Sequence, residues 1–287
     1  MHKPAKSVNI TRHVEFSMSH QDETVPRQRR HRVIYAGCVN PLPIEDLEHI
    51  LIHTRPLWDE ARGQRIFLSG GTGFFGAWLL ESLAHCNRRL NLGLSATVLS
   101  RDAKAFANRM PHLGCEPCIQ LLQGDVCSFE FPKLEFEYVI HAAAPTSSAL
   151  KPLELLATMI DGTARVLSFA QARGVNRFLF TSSGAVYGSQ PNDLTHIPEE
   201  YRGGPDWLNP QSAYAEGKRV SELMCSAYAQ ESDIQFAIAR CFAFVGPHLP
   251  LDQHFAIGNF IGDALAGRTV RIRGDGTPLR SYLYSAD

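Results

Sequence analysis

Tyr214 and Lys218 stand four residues apart in Tyr214-Ala215-Glu216-Gly217-Lys218, a spacing that puts a phenol and an ammonium on one face of a helix. A phenol that titrates near ~10 is a poor acid or base at neutral pH. A lysine beside it favours the phenolate and lowers that pKa. Such a pair can take or return the proton of a hydroxyl–carbonyl couple while a hydride leaves or joins the same carbon. Ser183 lies upstream at the end of an apolar run, and its hydroxyl can hold the same oxygen. Tyr and Lys at this spacing recur by chance, so the rest of the chain has to say whether a hydride carrier is at hand.

That carrier is expected at Ser69-Gly70-Gly71-Thr72-Gly73-Phe74-Phe75-Gly76. The apolar run Ile66 to Leu68 reads as a buried strand, and a helical pattern (Ala77, Leu79, Leu80, Leu83, Ala84) follows the glycines at once. Glycines at 70, 73 and 76 suit a sharp exit from the strand, a close approach of the backbone to a pyrophosphate, and tight packing of helix on strand. The helix N-terminus, opened by Phe74 and Phe75, presents free N–H groups and a partial positive charge to phosphates. The spacing therefore predicts a dinucleotide site.

The end of the second strand discriminates between cofactors. An NAD site usually places Asp or Glu there for the ribose hydroxyls. Ser100-Arg101 stands there instead, and a cation suits a 2′-phosphate, so NADP is favoured and NAD stays open; Asp102 beside it is a candidate helix cap. Asp125-Val126 after the third strand would meet the adenine. Ala142, Ala143 and Ala144 after the fourth would let the backbone lie against the cofactor, and His141 is read as a strand-end histidine bonded to backbone. Thr181 at the end of a later strand, with Tyr214 and Lys218, completes the expected cofactor contacts.

Elements able to position these residues alternate along the chain. Strands are predicted at 65–69, 96–100, 119–122, 138–143, 177–182 and 235–242, and helices at 74–86, 102–110, 150–173 and 212–230. This pattern predicts an α/β fold, a Rossmann-like doubly wound parallel sheet covered on both faces, with a small and short C-terminal substrate region from about residue 246. The first 40 residues, polar and aperiodic with the basic cluster Arg27 to Arg32, read as a solvated tail. Residues 41–62 read as a helical extension packed on the main domain of residues 63–287.

Composition bounds the partners. The 287 residues carry a formal net charge of −1, which gives no general drive toward nucleic acid or a membrane surface. No apolar run reaches the ~18 residues of a membrane span. Seven scattered cysteines suit reduced thiols in a cytoplasmic enzyme. Cys115-Glu116-Pro117-Cys118 has a C-x-x-C spacing but no second pair nearby, and is read as a loop rather than a metal or redox site.

On Gly70 to Gly76, on Thr181-Ser182-Ser183-Gly184-Ala185-Val186-Tyr187-Gly188, on Tyr214 to Lys218, on Arg240 to Pro247 and on Gly274 to Tyr282, the chain resembles the extended short-chain dehydrogenase/reductase family of nucleotide-sugar epimerases, dehydratases and reductases. The resemblance runs from about Arg65 to Asp287. It implies a catalytic triad of Ser183, Tyr214 and Lys218, substrate contacts from Ser183, Gly184 and Arg280 (the last on the diphosphate), no metal, a nucleotide-diphosphate sugar as substrate, and a homodimer.

Departures from the family pattern bear on the reaction. The 4,6-dehydratases place an Asp-Glu pair directly after the catalytic Ser or Thr, where this chain has Gly184 and Ala185. That favours chemistry at C4 alone, either reduction of a 4-keto sugar or epimerisation through a transient ketone. The family's usual Asn and Tyr are replaced by Ala243 and Val245, so substrate contacts are expected to be rearranged. Members usually continue for tens of residues past the position of Asp287, so the chain is expected to be either a fragment or one with a reduced substrate region. The competing readings are a dehydratase or decarboxylase of the same family, and a cofactor-binding regulatory protein that has lost turnover.

Overall fold

A computed structural model of the chain describes residues 6–7 (backbone only), 39–145, 150–252, 256–272 and 280–287. The main sheet is parallel throughout and contains β1 (Lys6–Ser7), β2 (Arg65–Ser69), β3 (Ser95–Ser100), β4 (Ile119–Gln123), β5 (Tyr138–His141), β6 (Arg177–Ser183) and β7 (Gln235–Cys241), in the spatial order β1-β7-β6-β5-β2-β3-β4. The chain runs outward from β2 to β4 and then returns to β5 on the other side of β2. Strand order thus reverses between β2 and β5, and the crevice at the carboxyl ends of these strands is where such sheets bind dinucleotides.

The strands are apolar on both faces because helices cover both. On one face Ile66, Leu68, Ala96, Val98 and Ile119 pack with Ala77, Leu80, Leu83 and Ala84 of α2 (Phe74–Leu90). On the other face Phe67, Leu99, Val139, Phe178, Phe180 and Phe236 pack with Val166, Leu167, Phe169 and Ala170 of a long helix, Pro152–Ala172. Two short helices, α3 (Ala103–Arg109) and α4 (Pro111–Gly114), precede β4; with α1 (Ile44–Thr54) ahead of α2, the two long helices of the second face become α5 (Pro152–Ala172) and α6 (Ala213–Glu231).

Most sequence expectations of secondary structure hold to within a residue or two, and the differences have local causes. α2 runs on to Leu90 because Arg88 and Arg89 suit its last turn and Asn91, at φ 49°, closes it in the left-handed conformation. β5 stops at His141, two residues earlier than expected, since the backbone of Ala142 and Ala143 leaves the ladder to lie against Gly70. Asp102 caps α3 as expected, its carboxylate accepting from the Ala105 N–H at 2.8 Å.

The expected tail is not wholly without structure. Lys6 and Ser7 pair in parallel with Ala237 and Ile238. β7 would otherwise be an edge with unpaired N–H and C=O groups, and such an edge recruits chain. The rest of that segment, the basic cluster included, lies outside the described residues.

The segment at 41–62 packs on α2. α1 and a 3₁₀ turn at Arg55–Ala61 put Leu42 and Leu47 against Trp78 and Ala286, with Phe74 alongside. Glu81 of α2 is buried beneath this contact and accepts from the Leu42 N–H (2.7 Å). His112 and His248 each lie 3.0 Å from its other oxygen. Burial alone would raise the Glu81 carboxyl; the hydrogen bonds from the two histidines and Leu42 outweigh it and hold the group down at about 2. One carboxylate thus ties together the extension, the segment around α4 and the chain after Pro247.

Candidate active site

The glycine turn is built as its spacing demands. Gly70 has φ +78°, and a Cβ there would stand 2.5 Å from the backbone of Ala142 and Ala143. A Cβ on Gly76 would meet the Gly70 carbonyl at 2.4 Å. Around Gly73, in contrast, the nearest atom to an added Cβ is the Gly70 carbonyl at 3.7 Å, so this face of the turn is open beside the N-terminus of α2. An open glycine flanked by two close-packed ones fits a pyrophosphate laid against the helix N-terminus.

Phe74 and Phe75 do not offer their rings to this space. Phe74 packs into the small core under α1, and Phe75 lies 5.4 Å from Phe244. Any contact they make with phosphate is through their amides, which lie in the first turn of the helix. Ser100 and Arg101 sit where predicted: Ser100 Oγ accepts from the Asp102 N–H at 3.2 Å, and the Arg101 side chain is exposed. The carboxylate of Asp125 accepts from the Cys127 N–H at 2.8 Å, and Val126 packs on Gly162 of α5.

Sequence reasoning missed two contributors to the turn. Gly71 is as constrained as its neighbours, since a Cβ would come within 2.6 Å of Val98 and 2.9 Å of Leu68. Arg109, at the end of α3, donates to the Thr72 carbonyl. A guanidinium other than the expected Arg101 therefore stands beside the glycine turn. Its only sequence signal was its place in the last turn of the helix after β3.

At the other side of the crevice the triad comes together. β6 ends at Ser183, whose hydroxyl accepts from the Ala185 N–H at 3.2 Å. α6 carries Tyr214 and Lys218 one turn apart, and Ser183 is close enough to Tyr214 to lower its pKa. Lys218 is buried and donates to the Thr181 carbonyl at 2.7 Å, with its Nζ 4.7 Å from the centre of the Phe180 ring. Burial lowers this ammonium to about 8.

The expected depression of the phenol by Lys218 is not present in this arrangement. Burial pushes Tyr214 above its ordinary value and the neighbouring Ser183 side chain draws it part of the way back, while the ammonium is held on the Thr181 carbonyl. The physical reason is that a half-buried phenol loses its hydration as it ionises, and no cation bonds it directly.

His141 also departs from expectation. Its Nδ1 lies 2.6 Å from Ser69 Oγ and its Nε2 3.2 Å from Thr163 Oγ1, so its partners are side chains rather than backbone. Thr163 lies 3.0 Å from Ser221 Oγ, which in turn donates to the Gly217 carbonyl at 2.9 Å. A buried polar chain thus runs from the residue before Gly70 to the residue before Lys218. Burial, and then the nearby Lys218 charge, lower His141 to about 3, so its ring is neutral and serves as a connector.

Comparison with known proteins bears on this crevice. The profile of the NAD dependent epimerase/dehydratase family matches residues 66–287, which takes in the glycine turn, β6 and α6. The chain belongs to that family. UDP-glucuronic acid decarboxylase 3 of Arabidopsis thaliana is 31% identical over 227 residues, 78% of this chain and 63% of the relative, so the chain spans somewhat under two thirds of that protein's length. UDP-N-acetylglucosamine 4-epimerase of Methanobrevibacter ruminantium, solved with UDP-N-acetylmuramic acid, superposes with a TM-score of 0.67 at 23% identity, covering 78% of this chain and 70% of that one. UDP-glucuronic acid 4-epimerase of Bacillus cereus, solved with UDP-glucuronic acid and NAD, gives 0.65 at 23%, covering 77% and 69%. At such identities the structural likeness speaks for the fold.

The positions after Ser183 bear on the reaction. Gly184 and Ala185 carry no acid, and the ring of Phe242 occupies the space over Gly184. Ala243 and Val245 form a short strand, β8 (Ala243–Val245), paired in parallel with β9 (Tyr282–Tyr284). Arg280 lies just ahead of β9 and is exposed; Gly274 to Leu279 of its motif lie outside the described residues. α2 holds this part of the chain directly, through Trp78 Nε1 donating to the Pro247 carbonyl at 2.9 Å.

Cys115 is exposed and Cys118 buried in the turn between α4 and β4, both as free thiols, which agrees with a loop. Among the described residues no group of His, Cys, Asp and Glu is arranged to hold a metal, and no helix is long and apolar enough to cross a membrane.

Proposed function

We propose that the protein carries out hydride-transfer chemistry at C4 of a nucleotide-activated sugar, with NADP preferred over NAD, as an epimerase or a 4-keto reductase. The observation that carries this reading is the placement of Ser183 at the carboxyl end of β6 beside Tyr214 of α6, with buried Lys218 one turn along that helix and no carboxylate at 184 or 185. A nicotinamide bound over the crevice would supply the hydride acceptor and donor. Gly73, the first amides of α2, Ala142 to Ala144 and Thr181 are the residues that would hold such a cofactor.

The work left to the chain is proton handling. Tyr214 as phenolate takes the proton of the C4 hydroxyl while hydride leaves the same carbon, and returns it in the reverse direction. Ser183 donates to that oxygen and fixes its place. Lys218, protonated at neutral pH, supplies the positive charge that the buried phenolate needs nearby. The homodimer expected from the resemblance and the cytoplasmic setting expected from the cysteines are kept; Leu153 on α5 and Leu223 on α6 are exposed and suit a helical dimer face.

A decarboxylase reading is favoured by one observation, the 31% identity to a UDP-glucuronic acid decarboxylase. Its chemistry begins alike, because a ketone at C4 is β to a carboxylate at C6 and opens the loss of carbon dioxide. Incubation with NAD or NADP against UDP-glucose, UDP-glucuronate and 4-keto nucleotide sugars, read by nicotinamide absorbance and product NMR, separates the readings. Epimerisation gives a C4 epimer without net absorbance change, reduction consumes the reduced cofactor, and decarboxylation yields a pentose. No turnover with cofactor bound would leave the regulatory reading.

Arg101→Ala is expected to weaken NADP by about tenfold or more while NAD changes by less than about twofold, since the loss of one charge-assisted phosphate contact is worth about 1.5–3 kcal/mol. Calorimetric titration with both cofactors checks this, and equal weakening would remove the 2′-phosphate assignment.

A further inference from the structure

Glu222 lies one turn beyond Lys218 on α6, and its carboxylate closes a bridge that the proton handling above does not use. Ser182 and Arg240 are partners in the β6–β7 ladder, so their side chains leave neighbouring strands on one face of the sheet. Both reach the same carboxylate. Ser182 Oγ donates to Glu222 Oε1, and Arg240 donates through Nε to Oε1 at 3.0 Å and through Nη2 to Oε2 at 2.7 Å. The guanidinium also donates to the Glu199 carbonyl at 3.1 Å and lies 4.7 Å from the centre of the buried Tyr187 ring. A planar fork that meets a carboxylate in two bonds holds it in one geometry.

Ser182 sits between the two residues of β6 on which the site depends. Thr181 before it takes the Lys218 ammonium on its carbonyl, and Ser183 after it stands beside Tyr214. α6 therefore grips the end of β6 at two consecutive residues, through Lys218 and through Glu222. Charge follows the same path. Lys218 is faced by Tyr214, Glu222 and Cys225 of its own helix, by the Thr181 carbonyl and Phe180 ring of β6, by His141 of β5 and by Cys241 of β7. From α5, Met159 and Thr163 pack here, and neither titrates. Arg219 and Glu216, also on α6, pair with each other at 3.5 Å. Burial raises Tyr214 and both thiols, and His141 is neutral. Among these groups facing Lys218, Glu222 alone is charged at neutral pH, and it favours the ammonium that burial disfavours.

We propose that Glu222, clamped by Arg240, is a positioning residue of this site: through Ser182 it sets Ser183 against Tyr214, and by its charge it keeps Lys218 an ammonium. This deepens the reading of Ser183, Tyr214 and Lys218 as the proton-handling group and rests on it.

The test uses the full chain, and its first arm needs no substrate. Trace labelling with acetic anhydride across a pH range, read by mass spectrometry of the peptide that holds Lys218, gives the midpoint of its ammonium. Glu222→Gln keeps an oxygen for Ser182 but removes the charge and leaves the Arg240 cation behind, so the midpoint should fall by about one pH unit. Arg240→Gln leaves Glu222 without its counter-ion, and the midpoint should rise by about half a pH unit. The double variant strands no charge and should fall between the two. A role in packing alone would leave the midpoint in place. An unchanged midpoint in Glu222→Gln, or shifts of one sign in the two single variants, would overturn the proposal. The second arm measures kcat against pH with NADP and with UDP-glucose or UDP-glucuronate as probe. Activity that needs the ammonium is lost as pH rises through the Lys218 value. The alkaline limb should therefore move to lower pH in Glu222→Gln and to higher pH in Arg240→Gln. Ser182→Ala should lower kcat by about threefold to tenfold with the limb unmoved, because it removes a hydrogen bond and no charge. Full activity in Ser182→Ala would overturn the positioning of Ser183. Midpoints that move as expected with neither probe turned over would overturn the C4 reading and leave the hold of Glu222 on Lys218 standing.

Discussion

Replacing Tyr214 by Phe is expected to reduce kcat by about 10²–10⁴-fold, the usual worth of a positioned acid–base group, with cofactor affinity nearly unchanged. The substitution removes one oxygen and keeps the ring, so the packing of α6 against β6 survives. The hydroxyl lost is the one beside Ser183, and positions 184 and 185 carry no carboxylate to replace it. Burial raises the Tyr214 pKa, so charge from Lys218 and from a bound nicotinamide is what would bring it into range. Turnover measured with the reactive nucleotide sugar, beside calorimetric titration of the cofactor, checks both halves. A variant that turns over at the wild-type rate would remove Tyr214 from the mechanism.

The second large effect is expected at Gly70. An Ala there must hold φ +78° and place its Cβ 2.5 Å from the backbone of Ala142 and Ala143. The left-handed conformation costs about 1–2 kcal/mol and the overpacking about 1–3 kcal/mol more. Together they approach the ~5–15 kcal/mol that holds a whole domain folded. Denaturant unfolding of Gly70→Ala should therefore show a loss of about 2–5 kcal/mol, and cofactor binding should fall with it. Gly73→Ala is the control. Its φ of −85° suits any residue and its Cβ would meet nothing closer than 3.7 Å, so stability should hold while cofactor affinity drops. Equal stability loss in both variants would contradict this division of roles within the turn.

Much of the site was legible from residue types because its constraints are local. A strand, three glycines at fixed offsets and a helix form one contiguous segment, and the roles of Gly70 and Gly76 follow from steric limits that a short peptide already feels. Tyr214 and Lys218 share a face through helix geometry alone. Asp102 caps the helix that it begins. These are short-range matters, and the structure agrees with them.

What escaped the linear reading depends on residues far apart in the chain. Gly71 is forced by Val98 and Leu68, which reach it only once β3 has paired with β2. His141 finds Ser69 and Thr163 across the sheet, so its expected backbone partner was the wrong one. Phe74 and Phe75 pack where α1 and β8 offer them apolar neighbours. Lys6 and Ser7 become strand only because β7 is an open edge.

The sequence by itself determined the parallel α/β fold, the strand–glycine turn–helix and the placement of Tyr214 and Lys218 on one helix face, because these are written in adjacent residues. Only the tertiary structure decided how those groups are tuned and what stands beside them. It ties Lys218 to Thr181, raises Tyr214 by burial, brings Arg109 to the glycine turn and lays Phe242 over Gly184. Burial and charge are properties of an environment assembled from distant segments, and no window of sequence contains them.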